Sequence, residues 1–308
     1  RVKPECNRFE KMQTMAKTID RLLLALFCAL PAAATAQPDM RAPEASMVMA
    51  QADAQAVEEP VAGDQPTGGE NASSAVFDPD SDPDGSRAAE IVRQADEIRF
   101  PQQAFQVDVT VSSTSGGQEL EPRLYRILSK GNENTIVQTL EPATERGQNM
   151  LMRGRELWVY MPSVSQPVRL SLSQRLTGQV ANGDLARANF SGDYTAKLLR
   201  TETIDEHDYY VLELVAASRG VTYPKVVYWV RTDNHHPFKA EFHAVSGRLL
   251  KTCTYENFVQ LGDRVRPTRL VMTDAVKEGE RSILEYSELT PRELPNRMFT
   301  KDYMKRLD

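Results

Sequence analysis

Between Ala104 and Leu289 hydrophobic and polar positions alternate with a period of two. Phe105, Val107, Val109 and Val111 oppose Gln106, Asp108, Thr110 and Ser112; Phe238, Ala240, Phe242 and Ala244 oppose Lys239, Glu241 and His243; Leu270 and Met272 oppose Arg269 and Thr273. Successive side chains of a strand point to opposite faces, so each run predicts one buried face and one wet face. The runs from Leu157 to Met161 and from Val226 to Val230 are apolar on both faces, which predicts strands covered on both sides or lining a pocket. Turn signals separate about a dozen such runs, so the chain reads as mostly β, with antiparallel sheet that must close or curl around something.

Helical spacing occurs twice. Ala88, Ile91, Val92, Ala95 and Ile98 recur at intervals of three and four, behind Ser86 as an N-cap and ahead of Pro101 as a stop. At the other end Thr300 is placed to cap a helix reaching Leu307, with Phe299, Tyr303, Met304 and Leu307 on its apolar face. A barrel of roughly eight strands is just filled by its own side chains, and a wider one leaves room for a plug or a ligand. The side chains expected to line that space are Phe105, Val107, Val109, Val111, Phe238, Phe242, Leu270 and Met272 from the alternating runs. Trp158, Tyr160, Leu212, Leu214, Val226 and Tyr228 join them from the strands that are apolar on both faces or lie beside these.

The first residues carry an export address. Lys17 and Arg21 form a positive region, Leu22 to Leu30 an apolar one, and Ala34-Thr35-Ala36 a small-residue cleavage site. An apolar run of about nine residues is far short of the ~20 needed to span a bilayer, so the segment predicts a signal peptide and a mature, soluble periplasmic chain from Gln37. Residues 1–14 precede Met15 and are expected to come from an over-extended start. Phe27 before Cys28 is too bulky for lipoprotein processing. With Cys6 and Cys28 removed, Cys253 stands alone, so no internal disulfide forms and the thiol reads as a small buried hydrophobe.

Residues 37–86 carry eleven acids against Arg41 and, Phe77 apart, no aromatic side chain. Such a leader cannot bury enough apolar surface to offset its ordering entropy and is expected to be disordered. Asp80 to Gly85 matches half of a D-x-D-x-D-G calcium loop, but the twelfth position is Ile91 and Pro83 stiffens the turn, so it reads as acidic linker. The sequon at Asn71 is taken as chance. Residues 87–308 carry 30 basic and 29 acidic side chains, and no basic face argues for nucleic acid.

Nothing in the chain marks a catalytic, metal or cofactor site, and no enzyme activity is expected. The four histidines, His207, His235, His236 and His243, fall in turns or on a polar strand face, and no H-x-x-x-H, C-x-x-C or G-x-S-x-G pattern occurs. Gly116-Gly117 and Gly131-Asn132 read as hairpin turns, since no helix follows them to hold a phosphate.

A family resemblance runs through Gly154 to Pro162, Asn189 to Tyr194, Tyr209 to Leu214, Tyr223 to Val230, Pro237 to Phe242 and the closing helix at Phe299-Thr300. In order and content these resemble the LolA-like outer-membrane lipoprotein-sorting family, over residues 86–308. The resemblance implies a half-open antiparallel β-barrel of about eleven strands, with N- and C-terminal helices covering an apolar cavity that takes acyl chains. It implies a monomeric carrier of acylated lipid or lipoprotein that works between an inner-membrane transporter and an outer-membrane acceptor. Alternatively, the RseB-like branch implies a sensor or adaptor subunit of a membrane complex, such as an RND or MMPL-type exporter. An arginine on a strand is implied to hold the cover shut; Arg123, Arg126, Arg153 and Arg169 are open candidates.

Overall fold

The computed structural model describes residues 85–262 and 264–307, all within the unit Glu70–Asp308. The expected export segment, with Cys28, and Asn71 and all but the end of the acidic stretch lie outside the described residues. Among the described residues no helix is long and apolar enough to cross a membrane.

Helix α1 spans Ser86–Arg99 and buries Ala88, Ile91, Val92, Ala95 and Ile98, the expected stripe. Its cap differs from expectation. Gly85 occupies the N-cap at a left-handed φ of 71°, and Ser86, expected there, is the first helical residue. Only glycine adopts that conformation without a Cβ penalty. Phe100 turns extended ahead of Pro101, where the proline ring disfavours helical backbone.

Strands β1 (Phe105–Ser115), β2 (Gln118–Glu119), β3 (Arg123–Lys130), β4 (Asn134–Glu141), β5 (Asn149–Arg153), β6 (Glu156–Tyr160) and β7 (Val168–Leu170) follow. A separate ribbon of β8 (Arg175–Thr177) and β9 (Val180–Ala181) leads into α2 (Asn182–Ala186), a one-turn helix too short for periodicity to announce. The second half is a meander: β10 (Tyr194–Ile204), β11 (His207–Ala216), β12 (Lys225–Arg231), β13 (Pro237–His243), β14 (Leu249–Leu261), β15 (Arg264–Asp274) and β16 (Arg281–Tyr286). The chain ends with β17 (Thr290–Pro291), a 3₁₀ turn at Asn296–Met298 and helix α3 (Lys301–Met304). Thr300 Oγ1 accepts from the Tyr303 N–H at 3.2 Å, the expected cap, but α3 stops at Met304 and does not reach Leu307.

Fifteen strands join one antiparallel sheet in the order β10-β11-β12-β13-β14-β15-β16-β1-β3-β4-β5-β6-β7, with β2 and β17 as side pairings on β1. Strand β1 sits near the middle, and the sheet runs out from it to β10 and β7, which pair with no further strand among the described residues, so it stays half open. One face of nearly every strand feeds a single cluster that includes Ala88, Ile91, Val92 and Ala95 of α1 and Leu185 and Ala186 of α2.

The opposite face carries two smaller clusters. Leu128, Ile136, Leu151, Trp158 and Tyr160 are covered there by Leu294, Phe299 and Met304 of the C-terminal segment, which Asn149 Nδ2 ties down through the carbonyls of Met304 (3.0 Å) and Leu307 (2.8 Å). The β6 run is therefore apolar on both faces because each face has its own cover. The two terminal helices do not share a cavity: α1 lies on the inner face and α3 on the outer one.

Candidate functional site

The inner face is roofed by α1, α2 and the loop that joins α2 to β10, and each part is fastened by buried charge. Arg266 of β15, 3 % exposed, donates from Nη1 to the last carbonyls of α1, Glu97 O at 2.6 Å and Ile98 O at 2.9 Å. Those carbonyls have no partner within the helix, so the guanidinium completes its C-terminus from the sheet below. Asp96 Oδ2 accepts from the backbone N–H groups of Phe190 (2.9 Å) and Ser191 (2.6 Å), which ties α1 to the loop. Its other oxygen lies 3.5 Å from Arg99 Nη1, and the Arg99 guanidinium covers the rings of Phe190 (4.7 Å) and Tyr255 (5.3 Å). Burial pushes the Asp96 carboxyl up to about 6, against the opposing pull of Arg99 and the two N–H donors.

Helix α2 is held from β14. Lys251 Nζ pairs with Asp184 Oδ2 at 3.0 Å and donates to the carbonyl of Gln179, while Tyr223 Oη donates to both Asp184 oxygens at 2.8–2.9 Å. Gly183 fits against Thr222 so closely that a Cβ there would collide with Thr222 Oγ1 and Cγ2. In the loop after α2, Arg187 pairs with Asp193 and donates to the carbonyls of Asn132 (2.6 Å) and Gly154 (2.9 Å). Arg155 reaches the same Asp193 from the rim at 3.0 Å.

Beneath this roof little space remains. One cavity of about 20 Å³ lies at the seam between Phe100, Phe105, Ile127, Leu185 and Ala186. A second, also about 20 Å³, lies among Arg99, Arg187, Asn189, Tyr194 and Phe242. Each is large enough for one water, and Arg99 Nε and Asn189 Oδ1 beside the second are buried without a bonded partner among the described residues. Among the described residues the inner face packs against the protein's own helices and side chains in this closed arrangement, in place of the roomy hollow expected from strand count.

Eleven of the expected lining residues share the inner face: Phe105, Val107, Val109, Val111, Leu212, Leu214, Val226, Tyr228, Phe242, Leu270 and Met272 all belong to the cluster that α1 covers. Three do not. Trp158 and Tyr160 face the C-terminal segment, because β6 puts Leu157 and Val159 inward. Phe238 lies on the outer face with its ring 4.6 Å from Tyr209. The register slips between Trp229 and Val230, which pair with Lys239 and Pro237, so Phe238 is the extra residue of a β-bulge and alternation breaks there. Cys253 is fully buried and burial lifts its thiol to about 12, in keeping with a small core side chain.

Pattern reading missed the charged fasteners, although spacing marks several. Asp96 and Arg99 sit four residues after Val92 and Ala95 on the buried stripe of α1. Lys251 alternates with Cys253 and Tyr255, and Arg266 with Leu270 and Met272, so both share the inward parity of their strands. The four arginines considered for the latch lie elsewhere: Arg123, Arg126 and Arg169 pair with Glu145, Asp108 and Glu156, and Arg153 is exposed at the end of β5.

A half-open antiparallel sheet, roofed on its apolar inner face by two helices, is the fold this chain shares with solved LolA superfamily structures. A LolA superfamily protein from Nitrosomonas europaea is 60% identical, covering 70% of this chain and 98% of its own, with a TM-score of 0.68. An outer membrane lipoprotein-sorting protein domain from Vibrio parahaemolyticus matches over 72% of this chain and all of its own at 24% identity and a TM-score of 0.63. A DUF1329 family protein from Desulfovibrio piger matches over 71% of this chain and 98% of its own at 21% identity and a TM-score of 0.62. A family model described only as an uncharacterized protein matches residues 131–306, and no curated protein matches. The chain belongs to the LolA superfamily.

Proposed function

We propose that this protein is a periplasmic carrier of lipid or acylated lipoprotein, in its closed form, and that α1 and α2 are the movable cover of the acyl site. The observation that supports this is how the roof is attached. Its underside is apolar and continuous with the inner sheet face, yet its ends are held by a few discrete polar bonds: Arg266 to α1, Asp96 to the loop, Lys251 to Asp184. Releasing those contacts would expose the apolar inner face, with Arg266 and Lys251 standing on it, without disturbing the sheet. Each methylene moved from water into it gains about 0.8 kcal/mol, so a sixteen-carbon chain supplies roughly 13 kcal/mol before the costs of opening and ordering. A stable closed form is what makes such binding reversible, because reclosure of the roof offsets part of that gain when cargo leaves. Cargo would be received from an inner-membrane transporter and given to an outer-membrane acceptor, with no catalytic step.

The filled interior favours a second reading, a periplasmic adaptor that docks onto a membrane complex through its surface and never opens. Native mass spectrometry of the protein released from the periplasm separates the two. A carrier retains stoichiometric lipid, and Phe242→Glu, which places a charge on the inner face, empties it while export continues. An adaptor carries no lipid and captures its membrane partner equally well in both forms.

A further inference from the structure

The outer face carries a second feature, independent of whether the interior takes an acyl chain. From residue 292 to 308 the C-terminal segment holds Arg292, Arg297, Lys301, Lys305 and Arg306 against Glu293, Asp302 and Asp308, whereas residues 87–308 as a whole are nearly neutral. Arg292, Arg297 and Lys130, with Glu293 as the one acid among them, line an open groove of about 840 Å³ over a floor that includes Ala104, Leu294 and Pro295. Arg292, Arg297, Lys301 and Arg306 are exposed, and Arg297 and Arg306 make no ion pair among the described residues. Half-buried Trp158, Tyr160, Tyr303 and Leu307 pack along the same segment, against Leu294, Phe299 and Met304, and Lys301 Nζ sits 4.2 Å above the Trp158 ring.

We propose that this face docks on an anionic phospholipid surface. Unpaired cations spread along a segment are attracted to anionic headgroups within a Debye length. Tryptophan and tyrosine next to them have the amphipathic rings that settle at the headgroup level of a bilayer. An acidic protein would need a shaped counterpart to the open groove, whereas a lipid surface supplies charge without that requirement.

Cosedimentation of the mature chain with vesicles tests the assignment. The protein should pellet with phosphatidylcholine vesicles containing phosphatidylglycerol, stay in solution with pure phosphatidylcholine, and be released as salt is raised from about 50 to 500 mM. Reversing three exposed charges in Arg292→Glu, Arg297→Glu, Arg306→Glu should weaken binding by at least about a hundredfold. In a Trp229→Phe background Trp158 is the sole tryptophan, and its emission should shift to the blue on anionic vesicles only. If the triple variant does not fold, Arg297→Glu alone should still weaken binding and its salt dependence. Equal binding to neutral vesicles, no vesicle binding, or undiminished binding by the charge-reversed protein overturns the proposal. Capture of a polyglutamate peptide without vesicle binding would assign the groove to an acidic protein instead.

Discussion

Arg266 Nη1 lies 2.9 Å from the carbonyl oxygen of Ile98, so a strand side chain on the sheet floor terminates the helix that roofs it. The bond joins the two parts that must separate if the interior is ever to open. Replacing Arg266 with Ala leaves buried carbonyls unpaired and should cost about 1.5–3 kcal/mol, the range for hydrogen bonds to charged groups. The loss falls on the roof and spares the sheet. Amide exchange in residues 86–99 should accelerate by roughly tenfold to a hundredfold, while β12 and β14 keep their protection. Equal protection of α1 in both proteins would show that Arg266 does not hold the roof.

Asp96 gives the roof a pH dependence of defined sign. Its carboxyl titrates at about 6 in the fold, above the ordinary 3.8, because burial disfavours the charge more than Arg99 and two N–H donors restore it. A raised carboxyl favours the fold when protonated, so this stabilisation is complete below about 3.8 and is lost as the pH rises through about 6. The gap corresponds to at most about 3 kcal/mol. Asp96→Asn keeps an oxygen for the N–H groups of Phe190 and Ser191 but cannot titrate. Urea melts at pH 4.5 and pH 7 should show a smaller difference between the two pH values for the variant than for the native protein. Parallel pH profiles would remove Asp96 as the titrating group.

Strand content and most of the inner face were legible in the chain because period-two alternation encodes burial directly, as in β1 from Phe105 to Val111. The charged residues on that face were not, since a lone Arg or Lys at an inward position looks like a polar interruption until its partner is known. Asp184, which pairs with Lys251, is 67 residues away in a helix of one turn. Phe238 was misplaced for a different reason: a bulge depends on the neighbouring strand's register, which one strand's own pattern does not carry. Strand number overstated the hollow, because it carries no information about how deeply the covering helices sink.

The Lys251–Asp184 pair should behave as a buried ion pair. Asp184→Ala strands the ammonium with the Gln179 carbonyl and the faces of Tyr223 and Phe242 as its surroundings, and should destabilise the protein by about 3–5 kcal/mol. The double variant Lys251→Met, Asp184→Leu removes both charges and should recover much of that loss, because the desolvation penalty goes with them. Urea unfolding of the two variants checks the ordering. A double variant as unstable as the single would mean that Asp184 matters for the hydrogen bonds it accepts from Tyr223 Oη and the Ala181 N–H (2.8 Å) and not for its charge.

Phe238 and Phe242 stand four positions apart on β13, yet the bulge places them on opposite faces of the sheet. Phe242 is 2 % exposed with its ring 4.2 Å from Tyr223, so Phe242→Ala opens a cavity under the roof and should cost about 3–5 kcal/mol. Phe238 is only half buried against Tyr209, and its truncation should cost about 1–2 kcal/mol, mostly the lost ring pair and partial burial. The difference extends to cargo. If lipid sits on the inner face, Phe238→Ala should keep native lipid occupancy by mass spectrometry while Phe242→Glu carries none. The reverse result, an empty Phe238→Ala protein and a loaded Phe242→Glu protein, would place the ligand on the outer face and leave the roof of α1 and α2 as a structural cover only.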